Sequence, residues 1–306
     1  MRTTLSIICL FFSFAASSQA LDSIITKSSL QYSIGALAHD SMKGRLTGTP
    51  EMKTAAEFIA GRFKEAGLNP LAGNNNYFAW YPFEQEHDTV TGHGINVMGA
   101  IKGMISPDTC VIFCAHYDHV GTDHAATAFG RDSVFNGAND NASGTALLIE
   151  LAKYYAAIKN NRYTLIFVAF SGEELGLLGS EYMASKLNQS YIHALINFDM
   201  VGRSINKNTK KCMVIAKKPK PWIKKLNAEI YPQDEFFIRD MFPAQNLSTR
   251  SDQYSFQEVE NNLFFTTSSA LDNYYHTLDD EYDTIDFDFL LLTTRNLAQA
   301  CKLFLK

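Results

Sequence analysis

Three polar clusters in the middle of the chain carry histidines and acids at spacings that suit metal-assisted hydrolysis. His116-Tyr117-Asp118-His119, Ser171-Gly172-Glu173-Glu174 and Asp199-Met200-Val201-Gly202 each follow directly on an apolar run. A hydrolytic zinc site needs histidine and carboxylate ligands and must keep one position open for water. His116 and Asp118 stand two residues apart on an extended segment, so their side chains leave on the same face. Both can approach one metal, or the aspartate can take the second ring N–H of the histidine and orient it. Glu173 and Glu174 repel each other beyond a buried strand unless a cation is near. Neighbouring side chains point in different directions, so one can bind metal while the other faces a bound water. Asp199 adds a carboxylate, and His276 adds a late histidine beside Asp279 and Asp280.

A fourth cluster, Asn136-Gly137-Ala138-Asn139-Asp140-Asn141-Ala142-Ser143-Gly144, is a tight polar loop that opens a helix. Such residues make good helix N-caps. Beside His116, a metal-binding Asp140 becomes the stronger reading. Asn141-Ala142-Ser143 also spells a glycosylation acceptor.

These side chains need elements to position them. Cys110–Ala115, Thr164–Phe170 and Ala194–Phe198 are continuous apolar runs, as expected of strands buried on both faces. Ile95–Ile101, Lys211–Ala216 and Leu263–Thr267 read as further strands. Helical periodicity covers residues 51–66, stopped by Gly67 and Pro70, and recurs over Ser143–Ile158, Glu181–Leu187 and Phe289–Leu305. Strands alternating with helices indicate an α/β domain around a largely parallel sheet. Ligand sites in such sheets lie beyond the carboxyl ends of the strands, where the polar clusters stand.

Taken in order, His116-Tyr117-Asp118, Asn139-Asp140-Asn141-Ala142-Ser143-Gly144, Gly172-Glu173-Glu174, Asn197-Phe198-Asp199-Met200 and Tyr275-His276-Thr277 resemble the five metal-site motifs of the co-catalytic zinc aminopeptidases. Bacterial leucyl aminopeptidases and glutamate carboxypeptidase belong to that group. Gly44-Arg45-Leu46-Thr47-Gly48-Thr49 is similar to the family's amino-terminal region, and the likeness covers most of residues 35–300. It implies a three-layer zinc-exopeptidase fold, with a central, mostly parallel mixed sheet flanked by helices, and a pair of zinc ions. Asp140 would bridge the ions, His116 and Asp199 would complete one, and Glu174 and His276 the other. Asp118 would support His116, and Glu173 would be the general base. The Asp140–Asn141 peptide bond would be cis. One departure stands out: relatives often carry a tyrosine shortly before a Ser-Asp pair, whereas Leu247-Ser248-Thr249-Arg250 precedes Ser251-Asp252. Tyr254, Tyr274 or Tyr275 could take that place, or zinc could serve as the only electrophile, and the role stays unassigned.

The implied activity is aminopeptidase, on peptide substrates. A carboxypeptidase would need a cationic pocket, for which Arg203, Arg239 and Arg250 are candidates. A single-zinc glutaminyl cyclase and a non-catalytic binding domain are the remaining alternatives.

Composition agrees with an enzyme. The chain has 306 residues, 46% of them hydrophobic, 19% charged, and a net charge of −5. A mildly acidic chain without a basic stripe is a poor nucleic-acid binder. Lys207, Lys210, Lys211, Lys217, Lys218 and Lys220 cluster, but among Asn, Thr and Pro, which reads as a solvated loop rim. Arg2, the apolar Leu5–Ala16 and Ser18-Gln19-Ala20 fit a signal peptide over 1–20 cut after Ala20. Residues 21–306 then form one catalytic domain, exported to the periplasm or beyond, with no stable membrane insertion. Cys110 and Cys114, about 13 Å apart along one strand, cannot pair with each other. Free thiols are the expectation for them and for Cys212 and Cys301.

Overall fold

The computed structural model describes residues 21–71, 75–84, 91–123, 125, 132–204, 209–230, 235–268 and 272–306. The leader read over 1–20 and Lys207 lie outside them. Helices are α1 (Lys27–Leu37), α2 (Pro50–Glu65), α3 (Gly144–Ile158), α4 (Leu178–Lys186), α5 (Pro219–Glu229) and α6 (Phe287–Ala300). Strands are β1 (Asn69–Pro70), β2 (Phe78–Glu84), β3 (Thr91–Ile101), β4 (Ser106–His116), β5 (Tyr163–Phe170), β6 (Ile192–Phe198), β7 (Cys212–Ile215), β8 (Phe237–Arg239) and β9 (Asn262–Thr266).

All these strands join one sheet in the order β1-β3-β5-β4-β6-β9-β7-β8, with β2 also paired to β3. Its centre, β5-β4-β6-β9, is parallel. Antiparallel pairs lie to either side, β3 against β5 and β7 against β9. The expected mixed, mostly parallel sheet is therefore present, and its central strands point their carboxyl ends the same way.

Alternation along the strands divides the interior in two. Val111, Phe113, Ala115, Leu165, Phe167, Ala194, Ile196 and Phe198 pack into a large core with residues from α1, α2, α3, α5 and α6. Ile112, Cys114, Ile166, Val168, Phe170 and Leu195 face a smaller core that includes Met183 of α4 together with Phe256 and Val259. A period of two sends neighbours to opposite faces, so the continuous apolar runs mark a sheet covered on both sides. This is the three-layer arrangement. Phe113 sits at its middle, its ring 5.3 Å from Phe167 and 5.4 Å from Tyr155.

The α2 reading holds in mechanism as well as extent. Thr49 accepts a hydrogen bond from Met52 N, Pro50 opens the first turn, and Met52, Ala55, Ala56, Ile59 and Phe63 are buried. Gly67, at φ 82°, follows the last turn. The loop-rim reading of the lysines holds for Lys210, Lys211, Lys217 and Lys218, which lie outside helices and strands, and needs correction at Lys220. Lys220 lies in α5, Lys218 immediately precedes it, and Lys210 pairs with Asp286 at 2.8 Å. Pro219 starts that helix rather than breaking it, because its fixed φ and missing N–H suit a first turn. Cys110, Cys114, Cys212 and Cys301 are free thiols. Among the described residues no helix is long and apolar enough to cross a membrane.

Candidate metal centre

The parallel register sets two of the side chains level. Cys114 of β4 pairs with Asn197 of β6, so two residues further on His116 and Asp199 stand side by side. His116 Nε2 lies 3.4 Å from Asp199 Oδ1 and 3.4 Å from Asp140 Oδ1. The other Asp140 oxygen, Oδ2, lies 3.1 Å from His276 Nε2, which is also 3.1 Å from Glu174 Oε2. Asp140 thus faces a histidine with each oxygen. His116, Asp140 and Asp199 have ligand atoms within 4.8 Å of one another, and so do His119, Asp140, Glu174 and His276. A third group joins His116, Glu173 and Glu174. All five side chains read as metal ligands are brought together, in two groups that share Asp140.

The donor set fits two zinc ions. It consists of imidazole nitrogens and carboxylate oxygens, the ligands zinc takes in hydrolytic sites. Asp199 Oδ1 is buried without a hydrogen-bond partner among the described residues, and an orphaned buried carboxylate oxygen is costly unless a cation meets it. Electrostatics point the same way. Burial works against the charged forms of His116 and His276, yet surrounding carboxylates outweigh it. His116 is held well above the ordinary imidazole range by Glu173, Asp199, Asp118 and Asp140, and His276 rises to about 10 beside Asp140 and Glu174. Burial would raise the Asp140 carboxyl, but the bonds from His116 and His276 hold it low. A field that keeps protons on two imidazoles also attracts divalent cations. Glu173 behaves differently: burial pushes its carboxyl well above the usual range, His116 opposes this, and Glu174, Asp199 and Asp252 add to it.

A family model described as peptidase family M28 matches residues 96–301, a span that contains all of these ligands. The chain belongs to peptidase family M28. A probable zinc metalloprotease of Phaeosphaeria nodorum is 35% identical over 139 residues, 42% of this chain and 28% of that protein. The chain spans less than half the length of the curated relatives it matches. Among solved structures, a zinc aminopeptidase from Bacillus subtilis superposes with a TM-score of 0.71 at 16% identity, covering 92% of this chain and 96% of that one. A glutaminyl cyclase from Porphyromonas gingivalis does so with a TM-score of 0.69 at 16% identity, covering 92% and 99%. At such identities the likeness is one of fold.

The M28 motifs hold the centre through a dense set of hydrogen bonds. Asp118 is fully buried beside His116, its Oδ1 3.7 Å from Nδ1, while His116 Nδ1 also lies 3.3 Å from the Asp118 carbonyl. Asp118 therefore lies on the Nδ1 side of the ring, away from the Asp140 and Asp199 oxygens that face Nε2. Thr47 donates to Asp118 Oδ2 at 3.0 Å and accepts from Gly172 N at 2.7 Å, tying the Glu173 turn to the His116 strand. Glu173 N donates to Asp118 Oδ1. Arg45 is buried and donates to the carbonyls of Leu37, Tyr117, Asn136 and Gly137, and burial lowers its pKa to about 10. The Gly44–Thr49 motif thus staples loops.

Asp140 is placed by Asp280, which accepts from the backbone N–H groups of Asn139 and Asp140 and from Arg203. The Asp140–Asn141 bond is cis. Asn141 donates to Phe198 O and accepts from Gly144 N and Met200 N, and Ser143 Oγ accepts from Val201 N. These polar side chains sew the Asp140 turn to the Asp199 turn, and Asn141 also meets the first N–H of α3. Asn141 is completely buried, so the acceptor sequence is not open to a glycan. Asp199 Oδ2 accepts from Ser251 Oγ at 2.7 Å.

A small cavity of about 40 Å³ opens onto the centre, lined by Glu173, Met200, Leu247, Arg250, Phe264 and Tyr275 among others. Of the three tyrosines considered, only Tyr275 reaches it. Tyr254 lies in grooves elsewhere, and Tyr274 packs under Arg203. Burial, then Asp140 and Glu174, raise the Tyr275 phenol, so it stays protonated. Of the three arginines, Arg203 is taken up by Asp272 and Asp280. Arg239 lines a separate groove beside α5. Only Arg250 borders this cavity. His119, Thr47, Asp280, Ser251 and Arg45 escaped the sequence reading as parts of the centre. His119 stood inside a flagged cluster, but nothing in one sequence gave its direction.

Proposed function

We propose that this chain is an exported M28 exopeptidase with two zinc ions, acting as an aminopeptidase on peptides. The observation that carries this reading is the pair of ligand groups sharing Asp140, with Glu173 beside them. His116 and Asp199 would hold one ion, Glu174 and His276 the other, with Asp140 shared by the two groups. The chemistry zinc would supply there is polarisation of the scissile carbonyl and acidification of a water.

The chain's own groups do the rest. Glu173 accepts the proton of the attacking water and returns it to the leaving amine. Its carboxyl lies within 4.8 Å of the His116 and Glu174 donor atoms, and a general base must stand within reach of the proton it takes. Asp118 keeps His116 in one orientation and tautomer. Tyr275, protonated and at the cavity wall, donates to the developing oxyanion. The carboxylates around the cavity, Asp140, Glu173 and Asp199, suit a free amino terminus, which favours removal of a terminal residue.

Arg250, exposed at the rim, supports carboxypeptidase action as the second reading. A complete ligand set for two ions speaks against a single-zinc cyclase. A panel of free and N-blocked peptides, incubated with the purified protein, separates these outcomes. Aminopeptidase action predicts hydrolysis of peptides with a free amine and none of N-blocked ones. Turnover of blocked peptides from the carboxyl end would contradict it. Export predicts that the secreted protein begins at Leu21.

A further inference from the structure

His119 is fully buried, immediately after Asp118, and has no part in the scheme above. Its Nδ1 lies 2.8 Å from Glu174 Oε1, while the other oxygen, Oε2, faces His276 Nε2 at 3.1 Å. The two oxygens of Glu174 thus have separate partners. An ionised carboxylate only accepts hydrogen bonds, so Nδ1 carries the proton and donates. His119 Nε2 is buried with no partner among the described residues. The ring stands edge-on to that of His276, with centroids 5.4 Å apart. Gly137 makes room for it: at φ 54°, a Cβ there would fall 2.6 Å from His119 Cγ and Cδ2. A buried imidazole with one nitrogen unsatisfied costs stability, and an apolar side chain would fill the same space without that cost.

We propose that His119 is a positioning residue for the metal held by Glu174 and His276. Its Nδ1–H occupies Glu174 Oε1, leaves Oε2 as the single donor atom toward the ion, and flanks His276. This raises the zinc affinity of that site and leaves the His116–Asp199 site unchanged. The inference rests on reading Glu174 as a ligand of the second ion.

Metal-stripped wild type, His119→Ala and His119→Asn are titrated with zinc in competition with a chromophoric chelator. Asparagine is chosen because its amide places an N–H near the position of Nδ1. The expected result is one site weakened roughly 10–100-fold in His119→Ala, the range for loss of a hydrogen bond to a ligand, with the other site at wild-type affinity. His119→Asn should recover most of the loss. The cobalt-substituted wild type and His119→Asn should share one visible absorption spectrum, since the ring lies outside the coordination sphere. Wild-type affinity at both sites in His119→Ala would overturn the proposal. Equal losses in both variants with an altered cobalt spectrum would make His119 a ligand instead, and equal weakening of both sites would make it a scaffold residue. Wild type binding only one zinc would remove the two-metal reading itself, and the proposal with it.

Discussion

Glu173 and Glu174 are adjacent in sequence and should fail differently when changed. Glu174 faces His276 and Asp140 within the ligand group, so Glu174→Gln should lose activity through loss of zinc. Among the described residues Glu173 shows no hydrogen bond to a side chain proposed as a ligand; its backbone N–H is held by Asp118. Glu173→Gln keeps the shape but cannot take the proton. Metal content should hold while kcat falls roughly 10²–10⁴-fold, with little change in KM. The acidic limb of the pH–rate profile should vanish too, because it reports ionisation of the base. Metal analysis and steady-state kinetics on both variants check this; zinc loss in Glu173→Gln alone would reverse the roles. Four of the five residues read as ligands follow an apolar strand or stand in a glycine-bounded turn, where side-chain direction is constrained; His276 does neither, and it and the full set of roles came from the motif order of the zinc aminopeptidases. His119 and Asp280 were not, because a second histidine or acid in a polar run looks like any solvated neighbour until the backbone path is known.

At the scale of elements, the centre depends on how closely the Asp140 turn approaches the end of β6. Gly144 permits this approach: a Cβ there would lie 2.3 Å from Asn141 Oδ1 and 2.5 Å from the carbonyl of Phe198. Gly144→Ala should therefore push the turn away from the strand. Crowding of this kind costs about 1–3 kcal/mol, and zinc binding should weaken along with stability, as read by thermal melts and metal titration. An unchanged melting temperature and zinc affinity would contradict the coupling of the two turns. The central strands were readable because both their faces are apolar. Other elements were hidden by their own residues. Pro82 argues against a strand, yet β2 pairs only with β3 among the described strands, and an edge tolerates proline. Pro219 and Pro221 disguised the start of α5. Serines and Gly35 within Lys27–Leu37 masked α1, whose helical state comes from burying Leu30, Ile34 and Leu37.

For the whole molecule, the sheet is a rigid floor whose far layers fix the height at which β4, β5 and β6 release their polar turns. Phe113 is fully buried at its centre. Phe113→Ala should cost about 3–5 kcal/mol, measured by denaturant unfolding, and should leave the activity of the remaining folded protein largely intact. The central claim is that one shared aspartate assembles two metal sites at this edge. It is tested most directly by counting tightly bound zinc per chain in the purified protein, and again in Asp140→Ala. The account predicts two ions per chain in the first case and loss of both as tightly bound species in the second, since on this proposal Asp140 would contribute an oxygen to each. A single tight ion in the wild type, or two ions retained without Asp140, would contradict it.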